Sequence, residues 1–152
     1  MKHIAKIQRE FLRIAQDDMS GTVHKEKEKR VTLHELPPEI KNVKPILIKQ
    51  GILREVKAPN GKNETYARVR MKQEPEKAPA YSLGVKNLLL QQEAETEISK
   101  EMFDSFFPEN VLRPQVKYRY SLPNGWDVDV IDGTNEIYAE CECGEPMPRH
   151  WK

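Results

Sequence analysis

The chain has 152 residues, 38% hydrophobic and 32% charged, a balance that suits one domain with a real core and excludes an intrinsically disordered chain. Its 25 Lys and Arg against 24 Asp and Glu leave a formal net charge of +1, so no global field attracts a polyanion and any anion site must be local. Cys141 and Cys143 are too few for a disulfide framework or a four-ligand zinc site and read as half-buried thiols; without a signal-peptide pattern, or an apolar run near the ~18 residues that span a bilayer, cytoplasmic residence fits and no membrane partner is expected.

In "IAKIQREFLRI", Ile4, Ile7, Phe11 and Ile14 recur at the spacing of an amphipathic stripe, which predicts an N-terminal helix over 1–20. Glu10, Asp17 and Asp18 dilute its positive charge, so it is expected to pack on the domain or on a second copy. Residues 21–152 read as one further domain. "VHKEKEKRVTL" opens that domain as a charged strand, and Pro37-Pro38 ends regular structure after it. "ILIKQGIL" and "TYARVRMK" are strands joined through the turn signal Asn60-Gly61. "YSLGVK" and "EAETEIS" follow as strands, and Ser99 is placed to cap a short helix over "KEMFDSFF". "QVKYRYSL", "WDVDVI" and "EIYAECEC" complete a mainly β (α+β) chain with a mostly antiparallel sheet and peripheral helices.

Charge recurs at every second position in these strands. Side chains alternate across a strand, so Arg68, Arg70 and Lys72 share one face while Ala67, Val69 and Met71 take the other. Lys117 and Arg119 oppose Val116, Tyr118 and Tyr120, with the aromatic side expected to be the packed one. Asp127 and Asp129 oppose Trp126, Val128 and Val130, and Glu140 and Glu142 oppose Ala139, Cys141 and Cys143. Glu93, Glu95 and Glu97 form a weaker third acidic row. An ordinary half-solvated sheet alternates in the same way, and exposed cross-strand pairs contribute little. The segregation of acids and bases into different strands points further, to a charged concave surface or tunnel. Carboxylates suit Mg²⁺ or Mn²⁺, and Arg and Lys suit phosphoryl oxygens.

The order of these motifs resembles that of the CYTH domain, or triphosphate tunnel metalloenzyme, superfamily. Glu26-x-Glu28-x-Arg30 resembles the family's opening E-x-E-x-K, with arginine in place of the usual lysine. "YARVRMK" is similar to its R-x-R strand through Arg68 and Arg70, and "YSLGVK" to the next through Lys86. "EAETEIS" resembles a paired-acid strand through Glu93 and Glu95, and "VKYRYSL" a K-x-R strand through Lys117 and Arg119. "DVDVI" offers Asp129, and "AECE" offers Glu140 and Glu142.

The resemblance implies an eight-stranded antiparallel tunnel barrel, whole or slightly incomplete, and metal-dependent hydrolysis of a triphosphate. Members include inorganic, thiamine and RNA 5′-triphosphatases and adenylate cyclases. Inorganic tripolyphosphate is the expected substrate, since no base-reading or thiamine-stacking element stands out. A noncatalytic triphosphate or nucleotide binding module and an RNA 5′-triphosphatase are the alternatives. By the resemblance, Glu26, Glu28, Asp129, Glu140 and Glu142 would hold Mg²⁺ or Mn²⁺, and Arg30, Arg68, Arg70, Lys86, Lys117 and Arg119 would grip the phosphates. Glu93 and Glu95 would support them, and Glu26, Glu28, Arg30 and Lys86 would bear most directly on the reaction. The sequence stops at "MPRHWK", where many members continue, so an open-ended tunnel, completion by a homodimer or loss of activity is expected. Arginine at position 30 presents a rigid planar fork instead of an ammonium, which favours binding over turnover.

Overall fold

The computed structural model describes residues 24–25, 29–57, 59–61 and 63–152. The expected N-terminal helix, Glu26 and Glu28 lie outside the described residues. Among the described residues there are nine strands: β1 (His24–Lys25), β2 (Lys29–Leu33), β3 (Ile46–Lys57), β4 (Asn63–Gln73), β5 (Ala80–Asn87), β6 (Gln92–Glu97), β7 (Leu112–Ser121), β8 (Asp127–Ile131) and β9 (Ile137–Cys141). They lie in the order β1-β6-β5-β4-β3-β7-β8-β9-β2, and no described ladder joins the two end strands. Apart from the two-residue β1, eight strands of five residues or more make up the expected mainly antiparallel sheet. Among the described residues there is one α-helix, α1 (Lys100–Phe106), and one 3-10 turn, Pro38–Asn42. The opening charged stretch, expected as one strand, serves two: β1 pairs with β6 while β2 pairs with β9.

Contacts group the described chain into two compact units, with β3, β4 and β7 each contributing to both. The first contains Gln50–Arg70 and Tyr81–Pro114. Its buried side chains include Leu53, Ala67, Val69, Leu83, Ala94, Phe103 and Phe106, so the apolar phase of β4, β5 and β6 is also the buried one. Ser99 caps α1 as its sequence position predicts, its hydroxyl oxygen accepting from the Met102 backbone N–H at 3.1 Å. Phe103 then stacks on Phe107 and meets Tyr81 at a tilt, each ring centroid 5.3 Å away. Gly51 in β3 is required by packing rather than by its backbone angles, because a Cβ there would meet the Val111 side chain at 2.3 Å.

The second unit contains 29–49, Met71–Ala80 and Gln115–Lys152. Leu33, Leu122, Trp126, Val128, Ala139, Cys141 and Trp151 form its core, with Val31, Ile40, Val43, Tyr120, Ile137 and Met147 packed against them. The C-terminal segment closes one side of this core. Trp151 meets Trp126 edge-on, with centroids 5.8 Å apart, and the Lys152 carbonyl accepts from the backbone N–H groups of His34 and Glu35. Glu39, at the start of the 3-10 turn, accepts from the Trp151 indole N–H and pairs with the His150 ring. Cys141 is buried in this core, 3% exposed, and Cys143 beyond the end of β9 is exposed. Trp126 is a packing residue, 2% exposed.

Two stability predictions follow from these contacts. Gly51→Ala is expected to lower unfolding stability by about 1–3 kcal/mol, read from the urea midpoint, because Val111 and the β3 backbone must both give way. Burial by itself would raise the Glu39 carboxyl, but the His150 and Trp151 hydrogen bonds hold it below its ordinary 4.5. A lowered carboxyl stabilises the fold above its unfolded value, and that contribution disappears as pH falls through the folded value. Tryptophan emission should therefore report loosening of Trp151 as pH falls below about 4.5, and Glu39→Gln should remove this step.

Candidate functional site

Register places the charged residues of the second unit in two rows across β7, β8, β9 and β2. Ser121, Asp127, Glu140 and Arg30 stand opposite one another in one row. Arg119, Asp129, Tyr138 and Thr32 form the other. Directly paired residues of an antiparallel ladder share a face, so both rows lie on one side. Tyr120, Val128, Ala139 and Val31 form a row on the opposite, core side.

Asp129 is the centre of the charged face. Its side chain is 2% exposed, and Lys117 Nζ lies 2.9 Å from its Oδ2. Arg119 addresses both oxygens, Nε donating to Oδ1 at 2.8 Å and Nη2 to Oδ2 at 3.0 Å. The same guanidinium reaches Glu140 at 3.4 Å and Asp127 at 3.8 Å. This two-pronged grip is the planar geometry that an ammonium cannot provide. Burial would raise the Asp129 carboxyl, but hydrogen bonding to Arg119 and the charge of Lys117 outweigh it and keep the carboxylate ionised. Burial and the neighbouring Arg119 pull the Lys117 ammonium down, against the attraction of Asp129. For Arg119, too, burial opposes the charge, but Asp129, Asp127 and Glu140 raise its pKa further above the usual arginine range.

Lys117 lies on the charged face as expected, and of the aromatic side Tyr120 packs on the core while Tyr118 does not. Lys117 is buried, at 6%, and Tyr118 is exposed, at 38%. A lysine can occupy that position because its ammonium meets a carboxylate there. Arg30 has a different setting. Its guanidinium lies 4.1 Å from the centroid of the Tyr138 ring and 3.5 Å from Glu140, yet its side chain remains 53% exposed.

The first unit carries its own charged cluster. Arg68 Nη2 donates to Glu93 Oε1 at 3.2 Å, and both side chains are largely buried. Lys86 and His24 stand opposite Glu93 on β5 and β1. Arg70 donates from Nε and Nη2 to Gln50 Oε1 at 3.0 and 2.8 Å. Glu95 and Glu97 are exposed, opposite Gly84 and Ser82.

The two clusters thus include Arg30, Lys117, Arg119, Asp129 and Glu140 in the second unit, and Arg68, Arg70, Lys86 and Glu93 in the first. Glu142 lies beyond the end of β9 and is exposed. Three participants had not been picked out as site residues. Asp127 and Tyr138 could have been, because each sits two positions before a chosen acid and so shares its face. Gln50 gives no such signal, since only folding brings it to Arg70.

Among the described residues, no group of three or more His, Cys, Asp and Glu side chains is placed to hold a metal ion. Asp129 has both oxygens engaged by cations, which leaves Asp127 and Glu140 as the opposed carboxylate pair on this face. Those residues alone do not fit a metal site.

No family model and no curated protein matches the chain. Solved structures do. Two structures of NE1496, one described as a hypothetical protein and the other as the inorganic triphosphatase NE1496, are each 21% identical to the chain at a TM-score of 0.52. Both matches cover 83% of this chain and 85% of the other. The PH1819 protein from Pyrococcus horikoshii OT3 is 17% identical at a TM-score of 0.53, covering 79% of this chain and 80% of its own. The chain therefore shares the fold of these structures, in line with the resemblance of its motifs to those of the CYTH or triphosphate tunnel proteins. Among the described residues, no helix is long and apolar enough to cross a membrane.

The grip on Asp129 gives a direct test. Asp129→Asn leaves the buried Lys117 charge uncompensated and Arg119 with only its longer Glu140 and Asp127 contacts, and should cost about 3–5 kcal/mol in urea unfolding. Adding Lys117→Met should recover part of that loss, because the uncompensated charge goes with it.

Proposed function

We propose that this chain hydrolyses a triphosphate, with inorganic tripolyphosphate as the substrate and Mg²⁺ or Mn²⁺ as the cofactor. The observation that carries the proposal is the pair of charged rows on β7, β8, β9 and β2, where Arg30, Arg119, Asp127, Asp129 and Glu140 share one face. The shared fold with the inorganic triphosphatase NE1496 supports the same reading.

Arg30 is the most accessible cation of those rows and the first that a phosphoryl oxygen would meet. Arg119 is fixed in orientation by Asp129, so its guanidinium is aimed before a ligand arrives. In the first unit, Gln50 and Glu93 orient Arg70 and Arg68 in the same way. Arginines held by existing hydrogen bonds can stabilise the charge that develops on phosphoryl oxygens with little reorganisation. Because the described acids do not complete a metal site, the cofactor part of the proposal requires Glu26 and Glu28. A divalent cation bound there would supply an activated water and neutralise phosphate charge. Water would add to the terminal phosphorus of tripolyphosphate, and the bridging P–O bond would break to leave pyrophosphate and phosphate.

Phosphate and pyrophosphate release should be measured from tripolyphosphate, ATP and thiamine triphosphate with each metal. Metal-dependent release from tripolyphosphate is expected, and the Glu28→Ala, Arg70→Ala double variant should lower it by about a hundredfold or more. Saturable triphosphate binding without release by folded wild type would make the chain a binding module. Selective binding and processing of 5′-triphosphate RNA would move the substrate to RNA ends.

A further inference from the structure

The turn between β5 and β6 displays Leu88, Leu89 and Leu90 at 41%, 61% and 56% exposure. Turns are ordinarily built from polar residues, Gly and Pro, because they lie in water. This turn is also locally fixed. The Asn87 side-chain oxygen accepts from the Leu90 backbone N–H at 3.0 Å, and Gln91 adopts a left-handed φ of 51°. Three consecutive leucines are thus held out to solvent by a defined backbone.

Beside this turn lies the point where the N-terminal segment joins the described chain. His24 and Lys25 pair with Glu93 and Gln92 on β6, so His24 sits opposite a residue only three positions past Leu90, roughly 10 Å along a strand. Residues 1–23 precede it. In that segment Ile4, Ile7, Phe11 and Ile14 make an apolar stripe, which as a helix would be about 15 Å long. The nine residues from Ala15 to Val23 can span up to about 30 Å, ample to bring the stripe back to the turn. Charge agrees with this placement. Lys2, Lys6, Arg9 and Arg13 outnumber Glu10, Asp17 and Asp18 across residues 1–20, while β6 carries the exposed Glu95 and Glu97 beyond the Arg68-paired Glu93.

We propose that the Leu88–Leu90 turn is the docking face for the chain's own N-terminal segment, with Ile4, Ile7, Phe11 and Ile14 of a helix covering the three leucines. The acidic strand beside the turn would repel an anionic lipid surface, and the short tether gives the chain's own segment a high effective concentration.

The full chain carrying the photo-crosslinker benzoylphenylalanine in place of Leu89, a solvent-exposed position, tests this. Ordinary and heavy-isotope chains are mixed before irradiation, and the adducts are mapped by mass spectrometry. The expected adducts join position 89 to peptides within residues 1–20 of the same chain. Ile7→Asp with Phe11→Asp should abolish them while thermal unfolding of the strands is retained. In the otherwise wild-type chain, Leu89→Asn with Leu90→Asn should speed tryptic cleavage after Lys6, Arg9 and Arg13 on the order of tenfold. Adducts only between isotopically different chains would assign the face to a second copy and overturn the proposal. So would the absence of adducts to residues 1–20 in a folded chain. Co-sedimentation with phosphatidylserine–phosphatidylcholine vesicles that is lost in Leu89→Asn would overturn it in favour of a lipid surface.

Discussion

A carboxylate with 2% of its surface exposed must be met by cations, and Asp129 meets them only in one register. With β8 set against β7 so that Asp129 faces Arg119, Lys117 and Arg119 both reach it, and Val128 falls among Trp126, Leu122 and Trp151. A slip of one residue would exchange the two faces, putting the carboxylate into the tryptophan layer and valine against two cations. The penalty for that error is far larger than the few tenths of a kcal/mol that an exposed cross-strand pair contributes. β9 and β2 continue the same alternation through Glu140 opposite Asp127 and Arg30 opposite Glu140. The charged face is thus a consequence of correct pairing and also a constraint on it.

The opposite face of those strands is covered in part by Trp151 and Lys152. Trp151 fills the side of the core next to Trp126, and its indole N–H finds an acceptor in Glu39, which lets a large amphipathic ring be buried without stranding a donor. The carbonyl of Lys152 takes up the backbone N–H groups where β2 ends, so the segment is anchored by main chain as well as by packing. Ordering of one face and coverage of the other therefore belong to the same small set of strands.

Preorganisation is what suits this architecture to the proposed phosphate chemistry. Arg119, Arg68 and Arg70 are each oriented by a neighbouring carboxylate or amide, whereas Arg30 rests on the Tyr138 ring and stays accessible. A guanidinium already fixed in direction loses less freedom when an anion arrives. The same ion pairs account for the lack of a metal-binding group among the described acids, since Asp129 already satisfies two cations. Under the proposed metal-dependent reading, Glu26 and Glu28 are the acids left to hold the cation.

The period-two placement of charge was legible in the sequence because side-chain direction along a strand is a local property. It determined that Arg68 and Arg70 oppose buried Ala67 and Val69, and that Asp129 and Glu140 lie on a face opposite Val128 and Ala139. The Ser99 cap and the Asn60-Gly61 turn between β3 and β4 were legible for the same reason. Partnership was not, because hydrogen-bonded neighbours in a sheet can be separated by any length of chain. Only the tertiary structure decided that β1 and β2 take different partners, that Lys117 is buried while Tyr118 is exposed, and that Gln50 accepts from Arg70. The sequence by itself determined which residues share a face; tertiary structure decided which of them touch, because contact depends on cross-strand register and burial rather than on spacing along the chain.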